Sequence, residues 1–324
     1  MLDSFKNVRP VVNLEKHVGN FIACNIGIIN PNNGKYGSAL RIAIDTKGKL
    51  HADTTIKFTG LARPVQVSAE DVNGDGKTDY LVCEFGNLTG ALSLMENLGN
   101  NKYEHYMIRV IRGAIKVYIT DINHDSLPDI WALFAQGDKG IFLFTNKGNG
   151  KFRQNEVLRF PPIYGLSYFE LADFNKDGHP DILYTCGHNA DYSFTLKLYH
   201  GIYIFINDGS NHFKQQYFFP IHGCFKAMAR DFDGAAISFF VDYTNHPEVS
   251  FLYFENKGFL NFQPYSVPGT TSGRWLTMDA GDLDGDRKIN LVLGNFSIAP
   301  SFVKGSIAWK EGPAFVVLKN GIKK

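Results

Sequence analysis

The sequence is short of the features that most readily place a chain in a class. It has 4 cysteines in 324 residues, none of them in a Cys-x-x-Cys pair. Cys24, Cys83 and Cys186 fall inside strand-like runs and Cys224 stands alone, so buried free thiols are expected and a disulfide or zinc framework is not. No apolar run reaches the roughly 18 residues that a membrane-spanning helix needs. Neither charge sign dominates. The 33 Lys and Arg stand against 32 Asp and Glu, a net charge of +1, so no nucleic-acid footprint is signalled. The opening Met1-Leu2-Asp3-Ser4-Phe5-Lys6 lacks an apolar core, and no signal peptide is visible. A Gly-x-Ser-x-Gly elbow, a His-Glu-x-x-His pair and a phosphate-cradling glycine loop are all missing. The reading therefore leans away from catalysis, although an active site assembled from distant loops would leave no such trace.

What the sequence does have is a repeat. Asp71-Val72-Asn73-Gly74-Asp75-Gly76-Lys77-Thr78-Asp79 carries side-chain oxygens at positions 1, 3, 5 and 9 of a nine-residue loop, with glycine at position 6. Alternate oxygens on a tight turn converge on one centre, the arrangement that a hard oxygen-seeking cation such as Ca2+ requires. The glycine suits a turn that needs positive φ. The pattern returns complete in Asp173, Asn175, Asp177 and Asp181 with Gly178. It returns in Asp121, Asn123, Asp125 and Asp129 with Ser126 at position 6. A fourth copy has Asp282, Asp284 and Asp286, but Arg287 resists the turn at position 6 and Asn290 removes a charge at position 9. A fifth, Asp231-Phe232-Asp233-Gly234, is broken off by Ala235-Ala236-Ile237, and a plain turn is expected there. The copies begin at 71, 121, 173, 231 and 282, spacings of 50, 52, 58 and 51 residues, which marks a repeat architecture.

An EF-hand would need a bidentate Glu at position 12 on a helix. Val82, Ala132, Tyr184 and Leu293 stand there instead. The residues after position 9, such as Tyr80-Leu81-Val82-Cys83 and Ile182-Leu183-Tyr184-Thr185, are short apolar runs that read as strands. The loop therefore joins two strands. A second signature recurs at the same period: Asn97-Leu98-Gly99 before Tyr103, Asn146-Lys147-Gly148 before Phe152, Asn207-Asp208-Gly209 before Phe213, Asn256-Lys257-Gly258 before Phe262, and Asn320-Gly321. Asn and Gly supply a left-handed hairpin turn, and the aromatic opens the next strand.

Four-stranded units of this length stack as the blades of a β-propeller. The expectation is one all-β propeller domain over 1–324, with six blades visible and seven possible. Residues 1–63 form an N-terminal blade without a metal loop and 64–324 form five blades, several of them with calcium loops between strands 1 and 2. The last blade has little chain left for an outer strand; either the N-terminal strand completes it, or a further blade belongs to the ring. The 14% aromatic content, with 27 Phe and 15 Tyr, suits stacked sheets.

These loops and the apolar strands after them resemble the FG-GAP/VCBS repeat family, whose best-known members are the integrin α-subunit propellers. The stretches Arg159–Gly165, Asn189–Ser193 and Tyr253–Asn256 are similar to VCBS-repeat proteins of Bacteroidetes-type bacteria, which are mostly exported. The resemblance implies a calcium-stabilised propeller, located outside the cell or in the periplasm, with three to four structural Ca2+ ions. The ligands it implies are Asp71, Asn73, Asp75 and Asp79; Asp121, Asn123, Asp125 and Asp129; Asp173, Asn175, Asp177 and Asp181; and Asp282, Asp284 and Asp286.

Antiparallel alternation puts the metal loops and the Asn-Gly turns on one face. The second-to-third loops and the blade linkers fall on the other, including long insertions after Gly187 and after Asn295. Loops on a rigid scaffold are where binding concentrates. The candidate ligand residues there are Tyr164, His188, Asp191, Tyr192, His200, His222, Arg274 and Trp275. The reading is a non-catalytic, monomeric binding module for a protein or glycan. The alternatives are a polysaccharide lyase, hydrolase or lectin using that same face, and a structural module of a larger exported assembly.

Overall fold

The computed structural model describes residues 11–17, 20–47, 49–187, 197–230, 236–240, 249–296 and 312–321. The chain divides into two compact units, Met1–Pro162 and Ile163–Lys324. Every regular element in the described residues is a β-strand. No helix there is long and apolar enough to cross a membrane.

The first unit holds three four-stranded antiparallel blades. The first is β1 (Val11–His17), β2 (Asn20–Asn25), β3 (Gly37–Ile44) and β4 (Leu50–Leu61). The second is β5 (Pro64–Glu70), β6 (Asp79–Glu84), β7 (Ala91–Gly99) and β8 (Lys102–Arg109). The third is β9 (Ala114–Thr120), β10 (Asp129–Phe134), β11 (Gly140–Asn146) and β12 (Phe152–Arg159). Strands lie in sequence order across each sheet, the meander of a propeller blade.

The second unit repeats the plan with β13 (Leu166–Ala172), β14 (Asp181–Cys186), β15 (Gly201–Asn207) and β16 (Phe213–Pro220). Its next blade is β17 (Cys224–Ala229), β18 (Ala236–Phe240), β19 (Phe251–Asn256) and β20 (Phe262–Ser266). The last sheet has three strands among the described residues: β21 (Trp275–Gly281), β22 (Asn290–Asn295) and β23 (Phe315–Leu318). The N-terminal strand completes its own blade, since β1 pairs with β2.

Burial explains the strand sequences. The second strands β6, β10 and β14 are buried at every position. Each lies between two strands of its sheet, with both faces covered, so it reads as a continuous apolar run and not as an alternating one. The fourth strands β8, β12 and β16 are exposed or only partly buried at all but one position, because they form the outer edge. Cores form where neighbouring blades face each other. Cys24, Ala39 and Leu61 of the first blade meet Val67, Tyr80 and Val82 of the second. Leu81, Leu92 and Leu94 of the second meet Ile130, Phe134 and Phe144 of the third. In the second unit, Leu183 and Ile204 pack on Ala227 and Phe254, and Met228 and Phe251 pack on Trp275 and Leu293. Each of the larger aliphatic and phenyl side chains contributes roughly 1.5–3 kcal/mol on leaving water, and a single blade cannot bury its two faces alone. All four cysteines are buried free thiols.

Candidate functional site

The acidic loops lie where expected, between first and second strands. Their hydrogen bonding separates two jobs. In the loop at 71, Asp71 Oδ1 accepts from the N–H groups of Gly74 and Asp75 at 2.8 and 3.1 Å, and its Oδ2 from Gly76 at 2.8 Å. Asn73 Oδ1 accepts from the Asp75 N–H at 3.0 Å, and Asp75 Oδ1 from the Lys77 N–H at 2.9 Å. The loops at 121 and 173 reproduce this wiring: Asp121 and Asp173 accept from positions 5 and 6, and Asn123 and Asn175 from position 5. These bonds aim the side chains of positions 1, 3 and 5 into the turn. Asp75, Asp125 and Asp177 are exposed. A carboxylate oxygen that accepts one N–H keeps a second acceptor direction for another partner.

Position 9 behaves differently. Asp79, Asp129 and Asp181 are fully buried. Asp79 takes the Val72 N–H on Oδ2 at 3.1 Å and the Asn97 N–H on Oδ1 at 2.7 Å. Asp129 does the same with Ile122 and Asn146, and Asp181 with Phe174 and Asn207. The carboxylate thus pins its own loop to the start of the third-to-fourth hairpin. The hairpin asparagine answers: Asn97, Asn146 and Asn207 each donate from Nδ2 to the carbonyl before the aspartate, Thr78, Pro128 or Pro180. Each also caps its own turn by accepting from the glycine two residues on. The two recurring sequence signatures are therefore two halves of one clamp. In the last blade Asn290 fills the place with one oxygen, accepting from the Asn320 N–H at 3.1 Å.

Two residues per loop, not one, take the left-handed conformation. Position 6 does so at Gly76, Ser126, Gly178 and Arg287, and position 4 at Gly74, His124, Lys176 and Gly285. Arg287 occupies the turn at φ 65°, so the resistance anticipated from its side chain is overcome by the loop's own bonds. Asp282 still accepts from Gly285 and Arg287. The carboxylate oxygens of Asp282, Asp284 and Asp286 come within 4.8 Å of one another, all exposed. The third position is Asp here and Asn elsewhere, so positions 1, 3 and 5 carry three carboxylates in this loop and two in each of the other three. The broken copy at 231 lies outside the described residues.

The electrostatics follow the division of labour. Burial pushes the carboxyls of Asp79, Asp129 and Asp181 above the ordinary aspartate range, against the pull of their N–H donors, and neighbouring acids add to the rise. At the surface, Asp75 is held below that range by Lys77, Asp177 by the His179 N–H, and Asp284 by Lys319. The residues at positions 1, 3 and 5 fit a hard cation by chemistry and by presentation: charged or amide oxygens, at least partly exposed, and already turned inward.

On the opposite edge, His188, Asp191 and Tyr192 lie outside the described residues. Three of the other candidates come together. Tyr164 stacks on Tyr199 with ring centroids 4.5 Å apart and 3° between planes. Tyr199 meets the His200 ring edge-on, and His200 stands 6.5 Å from His222. Tyr199 was not singled out from the sequence; its signal was an aromatic at the end of the insertion after Gly187. Its hydroxyl donates to the Ile163 carbonyl, which fixes the platform. Trp275 is fully buried in the core, with its indole N–H donating to the Thr270 carbonyl at 2.7 Å. Arg274 is buried with its guanidinium 4.9 Å from the Phe296 ring. These two serve the packing of the last blade.

Residues 71–132 and 121–184 each match an FG-GAP-like repeat. Each span runs from an acidic loop of one blade through the second strand of the next. The chain carries FG-GAP-like repeats on propeller blades, a scaffold suited to a binding or interaction module. No curated protein matches the chain.

Proposed function

Starting from FG-GAP-like repeats on propeller blades, we propose that this is a non-catalytic binding module whose blades are braced by Ca2+ and whose partner, a protein or a glycan, is met outside the cell or in the periplasm. The observation that carries the proposal is the wiring of the loops. Side chains at positions 1, 3 and 5 are turned inward by backbone N–H groups and left at least partly exposed, while position 9 is buried in the clamp.

Asp71, Asn73 and Asp75, their counterparts Asp121, Asn123 and Asp125, Asp173, Asn175 and Asp177, and Asp282, Asp284 and Asp286 would hold the ions. Bound Ca2+ supplies positive charge that relieves repulsion among the clustered carboxylates. Asp79, Asp129 and Asp181 fix the loops' seat. The Tyr164–Tyr199 platform on the opposite edge supports a ligand surface there.

The test is thermal unfolding of the full chain in 1:1 comparison of excess Ca2+ and excess chelator, with ion content measured after dialysis. A lower midpoint in chelator, together with retained calcium in the untreated protein, is the expected result. Identical melts and no retained ion would end the metal reading.

A further inference from the structure

We propose that Lys319 makes the loop at 282 the last of the four acidic loops to take Ca2+, because its ammonium already serves a carboxylate that the ion would need. This rests on the calcium reading of those loops and ranks their affinities.

In two blades the residue before the hairpin asparagine faces position 3 of the loop. In the second blade that residue is Glu96, and its Oε1 accepts from Asn73 Nδ2 at 3.0 Å. In the last blade it is Lys319, whose Nζ donates to Asp284 Oδ2 at 3.0 Å. The charges are exchanged across the same gap: an acid meets the amide in one blade, and an ammonium meets the acid in the other. The third and fourth blades have the uncharged Thr145 and Ile206 there. Their position-3 amides turn inside the loop instead, Asn123 Nδ2 to Asp125 Oδ2 at 3.0 Å and Asn175 Nδ2 to Asp177 Oδ2 at 2.7 Å.

Position 9 gives the reason for the exchange. Asn290 accepts the Asn320 N–H. The bond from position 2 that Asp79, Asp129 and Asp181 also accept has no counterpart there among the described residues. The Lys319–Asp284 pair ties the loop to the hairpin at a different point, so the carboxylate missing from position 9 reappears at position 3 with its own cation.

Counting carboxylates at positions 1, 3 and 5 ranks the loop at 282 first for a cation; counting charge ranks it last. Lys319 lies on Asp284, and Lys288 Nζ stands 3.8 Å from Asp286 Oδ2, so two ammoniums offset the three acids. In the loop at 71, Lys77 lies on Asp75 at 2.7 Å, but Asp71, Asp79 and Glu96 surround that pair. Among the described residues no Lys or Arg comes within ion-pair distance of Asp121, Asp125 and Asp129, or of Asp173, Asp177 and Asp181. These three loops each keep three more acids than ammoniums, and the last keeps one. A unit charge within a few ångströms of a divalent ion in water changes its affinity by roughly tenfold. An exposed ion pair is itself weak, so Ca2+ at higher concentration can still displace the ammonium.

The experiment is calorimetric titration of the chelator-stripped full chain with Ca2+. The wild type is expected to show tight uptake and one phase at least about tenfold weaker. Asp286→Asn should remove the weak phase alone. Lys319→Met, checked for an unchanged melt in chelator, should tighten it about tenfold, and Lys319→Arg should leave it weak. Glu96→Lys, which puts an ammonium at the matching place of the second blade, should weaken one tight phase by at least about tenfold. Equal phases in the wild type, a weak phase unmoved by Lys319→Met, or tight phases unmoved by Glu96→Lys would each overturn the ranking while the calcium reading stands. No heat of Ca2+ binding in the wild type or in any variant would overturn both.

Discussion

The buried aspartate at position 9 should matter to stability in a way that is separable from any bound ion. Asp181 is fully buried and accepts two backbone N–H groups, from Phe174 and Asn207, both at 2.8 Å. Asp181→Ala leaves both donors without a partner. Each buried, unsatisfied N–H costs about 1–3 kcal/mol, so the loss should be about 2–6 kcal/mol. Asp181→Asn keeps one acceptor and turns an NH2 toward the other donor, for a loss of about 1–3 kcal/mol. Asp177, exposed in the same loop, provides the control. In chelator, Asp177→Ala should cost less than either Asp181 variant, because water can replace its bonds. Urea unfolding of wild type and the three variants, all in chelator, would give the ranking Asp181→Ala, then Asp181→Asn, then Asp177→Ala. Coincident midpoints for Asp181→Ala and Asp177→Ala would refute the clamp.

Other outcomes follow from the same geometry. Arg287→Gly should raise stability by about 1 kcal/mol in a denaturant melt, since a side chain at φ 65° carries a left-handed penalty that glycine avoids. Trp275→Ala should lower stability by about 3–5 kcal/mol, the cost of emptying a fully buried aromatic site, and would show its cost in the melt of the unliganded chain. In chelator, carboxyl NMR titration should place Asp129 and Asp181 above the ordinary aspartate value and Asp177 below it. The signs differ accordingly. The raised pair bind protons more tightly when folded, so their contribution is present below the unfolded value and is lost as pH rises through the raised one. The contribution of Asp177 is present above the unfolded value and is lost as pH falls through the lowered one.

The fold was legible because two short signatures recur at one period. The loop at 71 and the turn at 97 each admit several readings alone; five spaced copies admit few. β6, β10 and β14 were recognisable because burial on both faces leaves unbroken apolar runs. The double acceptance at position 9 was not legible. Asp79 looks in sequence like Asp75, and only the hairpin, 18 residues on, shows that its oxygens face inward. Position 4 also escaped notice, because His124 and Lys176 carry no mark of a left-handed backbone; the crowding of N–H groups onto the first aspartate imposes it. On the other edge, Trp275 and Arg274 stood beside glycines and a proline and so resembled loop residues. Their burial is set by neighbouring sheets that the local sequence does not encode.

The pairing of Asp129 with Asn146, and of its equivalents, is closed within one stretch of chain. A gene segment duplicated in that frame therefore carries both halves of its fastening and needs no matching change elsewhere to seat itself. The Asn146 amide also reaches the Val72 carbonyl of the preceding blade at 2.8 Å, a link that only a neighbour in the right order can supply. Copying is thus free of outside requirements while ordering is not, and shuffled arrays of these modules should register their disorder first at that asparagine.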